Sequence, residues 1–362
     1  MVIGVTLMRY FAWRFLRMIL TIFFTIFCLM FVVVFVEMLR RAADIPRAGA
    51  ATVALMTLLR VPSAAESILP FAVLFGAMAT FVDLTRKLEL IVARAAGMSV
   101  WQFLAPPALA ALLVGVVSVT LYNPLSAAMR LRSDQMETDI FGSATGSRGD
   151  QGVWLRQHGV DGLAIIHAQS TQDSGQTLIG VSVNIYTAAG DFLERVEAER
   201  ARLDSGAWSL TNARVSAPGE AARSVGAYLL ATDLTPEQLA AASISPQGAP
   251  FWELPALSAK TEAAGLDPTG YRVQFQILLA RPLLLVAMVL VAASFSLRFF
   301  RFGGVAQTVS SGVVAGFVLY ILTKVFSDLG GSGVISPIAA AWSPALVGSM
   351  LGTLTLLNSE DG

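Results

Sequence analysis

A short charged segment, residues 85–101, has the residue pattern of a docking site for a partner protein. It reads TRKLELIVARAAGMSVW and lies between two long apolar runs. A helix over residues 85–97 would place four apolar side chains on one face, at i, i+3, i+4 and i+7: Leu88, Ile91, Val92 and Ala95. Such a helix can dock into a groove on another protein, with Glu89 as its charged anchor and Gly97 as its end.

The same spacing also fits a helix that lies on the protein surface without a partner. Arg86 and Glu89 are three residues apart, so they could form an ion pair on a solvated face. Such a pair stabilises a helix by only about 0.2–0.5 kcal/mol. The periodicity leaves both interpretations open and slightly favours the surface helix.

Six basic residues near the ends of the apolar runs are candidates for binding an anionic group: Arg40, Arg41, Arg130, Arg132, Arg281 and Lys324. One interpretation is a basic ring that holds the phosphates of a lipid headgroup. The other is that these side chains reach the membrane surface or pair with Glu37, Glu66 or Asp328. From the residues alone, the two interpretations carry equal weight.

The chain lacks the motifs of the common catalytic and energy-coupling sites. Neither a phosphate-binding loop of the form GxxxxGK[ST] nor a GxSxG motif occurs. His158, His167 and the single Cys28 do not form a metal-ligand spacing. Glu66 and Asp83 lie at the ends of apolar runs, whereas an ion-coupled transporter usually has a carboxylate near the midplane. We therefore expect no catalysis and no bound cofactor, so that any energy must come from a partner.

The composition is that of an integral membrane protein. Hydrophobic residues make up 55% of the 362 residues and charged residues 14%, with a mean hydropathy of +0.66. A soluble domain has about 25% charged residues. The net charge is zero, so only the placement of the charges is informative about partners.

Six apolar runs are long enough to form transmembrane helices: residues 18–36, 67–82, 100–122, 274–297, 302–323 and 334–357. The first run is too long for a signal peptide and lacks a small-residue cleavage site, so we expect an uncleaved anchor. The last two runs are rich in Gly, Ala and Ser, which predicts close packing against other helices.

The middle of the chain, residues 123–270, has a different character. Five segments with turn residues between them read as strands: residues 162–168, 178–186, 192–198, 207–215 and 225–231. This pattern predicts an all-β sandwich or roll, followed by a partly helical stretch over residues 236–264. The predicted division is three spans in residues 1–122, a β domain in 123–270 and three spans in 271–362.

The distribution of basic residues predicts the orientation. With six spans, eight basic residues fall on the side of the termini: Arg9, Arg14, Arg17, Arg86, Lys87, Arg94, Arg298 and Arg301. The positive-inside rule then places the termini and residues 85–101 in the cytoplasm. The β domain lies on the other side, which is the periplasm in a Gram-negative cell.

Four sequence motifs resemble one family of membrane proteins. They are FVEMLRRA at residues 35–42, VPSAAESILPFAVLFGA at 61–77, LTRKLELIVARAAGMS at 84–99 and DLTPEQL at 233–239. Their order and spacing are similar to those of the lipopolysaccharide export permeases, the LptF/LptG family, and closer to its LptG members. The resemblance covers essentially the whole chain.

The resemblance implies a fold of six transmembrane helices with an inserted periplasmic β-jellyroll. It implies the membrane half of an ABC transporter that extracts lipopolysaccharide from the inner membrane. The expected partners are an LptB-like ATPase dimer that uses the ATP, an LptF-like permease subunit, an LptC-like periplasmic protein and membrane lipids, with no role for nucleic acid.

The resemblance also implies roles for individual residues. Glu89 corresponds to the family's coupling-helix glutamate, and the coupling surface around it comprises Arg86, Leu88, Ile91 and Val92. Arg40 and Arg41 correspond to basic residues after the first span. Val34 departs from the family, whose LptG members can carry a lysine inside the first span, so the transfer of the full headgroup site is weaker here.

Two other classes of function fit the same residues. One is a subunit of an ABC-type complex that transmits mechanical force without moving lipid; such proteins often have four spans. The other is a membrane-anchored periplasmic scaffold without an ATPase partner. The number of spans and the subunits that co-purify with the chain separate these alternatives.

Overall fold

The computed structural model describes residues 5–43, 49–141, 153–159, 162–172, 176–187, 191–204, 206–232, 246–263, 266–298 and 305–360. The DLTPEQL motif at 233–239, the first part of the predicted helical stretch and Arg301 lie outside the described residues.

The helices occur in two groups, one on each side of a β region in the sequence. They are α1 (Val5–Ala42), α2 (Ala50–Glu66), α3 (Leu69–Arg86), α4 (Glu89–Ala95), α5 (Val100–Val117), α6 (Asn123–Phe141), α7 (Leu254–Ala263), α8 (Thr269–Arg298), α9 (Val305–Gly331) and α10 (Pro337–Glu360). A five-residue π-helical turn, Ser118–Tyr122, joins α5 to α6.

Six stretches of helix are long and apolar enough to cross a membrane: Thr6–Ala42, Leu69–Arg86, Val100–Glu137, Thr269–Ser296, Ser310–Gly331 and Pro337–Asn358. They include most of each predicted run, which confirms six candidate spans by length and composition. In the second and fourth, 61% of the most apolar window is buried, against 6% in the first. Helices α3 and α8 therefore form the centre of the helical region, and α1 lies at its periphery.

Small residues allow the last two spans to approach their neighbours closely, as the composition predicts. A Cβ atom on Gly352 of α10 would lie 2.8 Å from Leu290 Cβ on α8. A Cβ atom on Gly316 of α9 would clash with the side chain of Leu74 on α3. Because a larger residue at either position would force its neighbour to shift, α9 and α10 pack closely against protein.

The third predicted span does not end at residue 122. The helix continues through the π-helical turn into α6 and ends at Phe141, so the predicted domain boundary lies inside continuous helix. The charged composition of α6 suggested the start of the β domain, but its buried Ser133 donates a hydrogen bond to the Met56 carbonyl of α2. Together with Met38 and Val53, Met56 belongs to a small core where α1, α2 and α6 meet.

The β region forms one antiparallel sheet of six strands in sequence order: β1 (Val153–Gly159), β2 (Gly162–Gln172), β3 (Thr177–Tyr186), β4 (Phe192–Asp204), β5 (Ala207–Ser216) and β6 (Arg223–Ala231). Each of the five predicted strands is present, and β1 is additional. The described strands do not form a second sheet, and the jellyroll stays a prediction.

One face of the sheet is apolar and buried. Ile166, Val183, Val196 and Val215 lie opposite one another on strands β2 to β5, and each is at most 7% exposed. Alternate residues along each strand point to opposite faces, so this row defines the packed side of the domain. The alternation explains why the sequence predicted these strands correctly.

Candidate functional site

The predicted helix over residues 85–97 is two helices separated by a break. Helix α3 runs to Arg86, and α4 begins at Glu89. Leu88, between them, has a left-handed backbone with φ of 61°, which an ordinary side chain adopts only at an energetic cost. Gly97, with φ of 85°, ends α4, as the sequence predicts.

The apolar face predicted for this segment points away from the rest of the chain. Leu88, Ile91 and Val92 are 58%, 43% and 66% exposed, while Leu90, which belongs to the helical core, and its neighbour Ala93 are buried. The buried pair attaches α4 to the protein. The three exposed side chains, which no other part of the described chain covers, form what we call the α4 face.

Glu89, beside the α4 face, is held by α1. Arg14 Nη1 donates to Glu89 Oε1 at 2.9 Å and to Oε2 at 3.0 Å, and the Tyr10 hydroxyl donates to Oε2 at 3.0 Å. The Arg14 guanidinium also pairs with Asp83, near the end of α3. We call Tyr10, Arg14, Asp83 and Glu89 the Arg14 cluster.

The Arg14 cluster replaces the ion pair that the local spacing suggested. Arg86 is exposed and makes no ion pair among the described residues. Arg14, and not Arg86, is the partner of Glu89. Arg14 comes from a neighbouring helix and contacts two carboxylates with separate guanidinium nitrogens. The sequence placed Arg14 on the same side of the membrane as Glu89, but no local pattern predicts a contact across 75 residues.

Three of the basic residues near the span ends pair along their own helices. Arg41 pairs with Glu37, Arg130 Nε lies 3.9 Å from an Asp134 carboxylate oxygen, and Lys324 Nζ lies 3.1 Å from an Asp328 oxygen. These are solvent-accessible pairs at i, i+4, which contribute about 0.3–0.5 kcal/mol each. An anionic ligand could therefore displace the carboxylates at small cost.

Arg40 and Arg132 are exposed and make no ion pair among the described residues. Arg40 lies beside Arg41 in the last turn of α1, and Arg132 lies on α6 beside Arg130. Because α1 and α6 both pack with α2 in one small core, these two pairs of arginines belong to the same three-helix unit.

Arg281 does not have the exposed position expected for a member of a basic ring. Its side chain is 12% exposed and pairs with Glu66, which is 9% exposed. Asn123 Nδ2 donates to both Glu66 oxygens at 2.9 and 3.2 Å, and the Ser126 hydroxyl donates at 3.1 Å. Arg281 is therefore a buried structural cation that joins α8 to α2 and α6.

Asn123 completes this buried network by linking it to the segment before α7. Its Oδ1 accepts a hydrogen bond of 2.8 Å from the Phe251 backbone N–H. Buried polar groups require partners, and here the carboxylate, amide and guanidinium supply them to one another. The sequence suggested Glu66 as one possible partner for a cation but did not indicate the roles of Asn123 and Ser126.

The described residues contain no group of three or more His, Cys, Asp and Glu side chains that could hold a metal ion. Cys28 is exposed on α1, in the candidate span, which fits a lipid-facing position. Neither observation adds a site to those described above.

A family model described as "Lipopolysaccharide export system permease LptF/LptG" matches residues 9–358. The chain belongs to this family. Two curated relatives, both from Escherichia coli (strain K12 and an O6:H1 strain), carry the description "Lipopolysaccharide export system permease protein LptG". Each is 24% identical over 322 residues, which is 86% of this chain and 86% of the relative. The permease family match confirms the resemblance and includes both the α4 segment and the six candidate spans.

Proposed function

We propose that this chain is one of two membrane subunits of an ABC transporter that extracts lipopolysaccharide from the inner membrane. It passes the lipid through its periplasmic β domain to a bridge that leads to the outer membrane. An LptB-like ATPase dimer hydrolyses the ATP, an LptF-like permease lies opposite, and an LptC-like protein receives the lipid. The chain itself binds no cofactor.

The observation that carries this proposal is the exposed α4 face beside Glu89 in a chain of this family. Leu88, Ile91 and Val92 present an apolar patch at the junction of two spans, where a cytoplasmic subunit can dock. An apolar core with a polar rim is the usual composition of a recognition surface, and here Arg86, Glu89 and Arg94 lie around the apolar side chains. Since the sequence has no phosphate-binding loop, the energy enters through such a surface.

Helix α1 supplies a physical route from that surface to the lipid. It is one helix of 38 residues, about 57 Å long, with Arg14 near one end and Arg40 and Arg41 in its last turn. A shift of the α4 segment moves α1 through the Arg14 cluster, and the rigid helix transmits the shift to its basic end. This end can hold the phosphates of lipopolysaccharide through charge-assisted hydrogen bonds.

The proposed orientation follows from the same helix. The positive-inside rule places the Arg14 cluster and the α4 face in the cytoplasm, with the termini. Arg40 and Arg41 then lie at the periplasmic end of α1, on the side of the six-stranded sheet.

Purification in mild detergent from the native host tests the proposal. The co-purifying subunits and lipids are identified by mass spectrometry. We expect an LptB-like ATPase, an LptF-like permease and lipopolysaccharide in fixed proportion to the chain. Recovery of an ATPase without lipopolysaccharide would favour a force-transmitting subunit, and recovery without any ATPase would favour a scaffold.

A further inference from the structure

A groove of about 1000 Å³ lies between α1 and α5, with Leu69 of α3 and the π-helical turn also in its lining. Ligand pockets in proteins have volumes of about 300–1,000 Å³. The groove is partly open, and apart from Leu69 its lining comes from α1, α5 and the π-helical turn. The basic end of α1 lies outside the groove, and Tyr10 is the one member of the Arg14 cluster in its lining.

The chemistry of the groove changes along α1. The α1 wall of the groove begins with Arg9 and Trp13 and continues with Leu16, Leu20 and Phe23. These residues are three or four positions apart, so they lie on one face of the helix. Trp13 is 59% exposed, and Arg9 is exposed with no acidic partner among the described residues. One end of the groove is therefore cationic and aromatic, and the rest is aliphatic.

The wall on α5 continues the aliphatic part. Leu113 and Val117 line the groove and are 64% and 50% exposed. An arginine and a tryptophan at one end of an apolar surface match the headgroup level of a bilayer, where the indole and the cation meet phosphates and the aliphatic residues meet acyl chains.

The residue types of the lining favour lipid over a partner helix. Tight contacts between transmembrane helices use small residues, whereas leucine, valine and aromatic side chains dominate here. Two acyl chains adapt to such a surface without needing small residues.

We propose that the groove between α1 and α5 binds an anionic glycerophospholipid, with its phosphate at Arg9 and its acyl chains against Leu20, Leu113 and Val117. This lipid site goes beyond the proposed export function. It rests on that proposal only for the orientation of α1, which places the site in the cytoplasmic leaflet. Arg9 and Arg40 are 31 residues apart, about 46 Å along α1, so this site is separate from the candidate lipopolysaccharide site.

Native mass spectrometry of the full chain in mild detergent tests the site, with phosphatidylglycerol and phosphatidylcholine added as separate probes. We expect phosphatidylglycerol to bind in preference to phosphatidylcholine. Arg9→Gln should reduce phosphatidylglycerol binding about fivefold and phosphatidylcholine binding by less, because the choline cation offsets the charge of the phosphate. Leu113→Trp, which fills the groove, should reduce the binding of both lipids.

Two matched variants control for position. Lys87→Gln removes an exposed cation outside the groove, and Leu109→Trp adds an indole at an α5 residue that is 53% exposed but does not line the groove. Both should bind the two lipids as the unmodified chain does. Size-exclusion profiles identical to that of the unmodified chain show that all four variants fold.

Three results would overturn the proposal. Arg9→Gln and Leu113→Trp could bind both lipids normally. The control variants could lose as much binding as the groove variants. Leu113→Trp could keep its lipid but lose a membrane subunit from the purified complex, which would assign the groove to a helix. Lipopolysaccharide release by the assembled transporter is a separate measurement, so failure of the lipid site and failure of the export function are distinguishable.

Discussion

Arg14 in α1 donates hydrogen bonds to both carboxylate oxygens of Glu89 in α4, at 2.9 and 3.0 Å. The same guanidinium pairs with Asp83 near the end of α3, so one side chain ties three helices together. Because the guanidinium group is planar and its donors have fixed directions, it holds both carboxylates in a defined geometry. The start of the first helix and the segment proposed to receive the ATPase therefore behave as one unit.

Replacing Arg14 tests how much this cluster stabilises the fold. Arg14→Gln leaves Asp83 and Glu89 without their shared cation, and we expect the free energy of unfolding to fall by about 1–3 kcal/mol, between the values for exposed and buried pairs. The measurement is thermal unfolding of the purified chain in detergent. Lys87→Gln, which removes only an exposed partner of Asp83, should change the free energy by less than about 0.5 kcal/mol. Equal effects of the two substitutions would show that Arg14 is no more important than a surface charge.

Reversing the charge of Glu89 tests the coupling role. We expect Glu89→Lys to insert in the membrane but to reduce ATP-driven lipopolysaccharide release about tenfold or more, because it reverses the charge beside the α4 face and places a second cation next to Arg14. Release from proteoliposomes containing the complete transporter is the readout. Glu220→Lys, on an exposed turn between β5 and β6, is the matched control and should release lipid normally. Normal complex recovery and release in Glu89→Lys would count against the coupling role.

The α4 face provides a prediction that separates docking from folding. Val92→Asp places a charge on a side chain that is 66% exposed, so the stability of the isolated chain should change by less than about 0.5 kcal/mol while ATPase binding weakens. Leu90→Ala, at the buried neighbouring position, should instead cost about 2–4 kcal/mol in stability. Thermal unfolding and a pull-down with the ATPase measure the two effects. If Val92→Asp binds the ATPase as well as the unmodified chain, the α4 face is not the docking surface.

The basic end of α1 predicts a lipid phenotype. The double variant Arg40→Gln and Arg41→Gln should lower the amount of lipopolysaccharide that co-purifies with the complex by about tenfold or more. Two charge-assisted contacts to phosphate are lost in this variant. Quantitative mass spectrometry of the bound lipid is the measurement. Arg195→Gln and Arg202→Gln, exposed on β4, together form the control. Unchanged lipid would support the interpretation that Arg40 and Arg41 only reach membrane phosphates.

Arg281 should behave differently because it is a buried partner of Glu66. Arg281→Leu leaves the Glu66 carboxylate with only neutral donors, and we expect a loss of about 3–5 kcal/mol in the free energy of unfolding. Adding Glu66→Gln should recover most of that loss, since the buried charge is then removed. Thermal unfolding of the single and double variants measures the difference. A double variant as unstable as the single one would show that the ion pair is not the cause.

The sequence by itself determined the features that depend on local hydrophobic patterns. Long apolar runs predict spans because a bilayer core of about 30 Å requires about 20 apolar residues in a helix. Alternating apolar residues predict strands such as β3 because side chains on a strand point to opposite faces. The exposed apolar face was also predictable at Ile91 and Val92, which lie in α4, whereas the break at Leu88 was not.

Only the tertiary structure decided which charges meet. Glu89 is paired by Arg14 and not by Arg86, because α1 packs against α3 and Glu89 follows closely after the end of α3. Arg281 does not lie with the exposed basic residues, because its position on α8 pairs it with Glu66 in a buried network. An ion pair between residues far apart in the chain leaves no periodic pattern in the sequence. Which two residues form the pair depends on how the helices pack. The structure therefore assigns partners to residues whose types and faces the sequence had already defined.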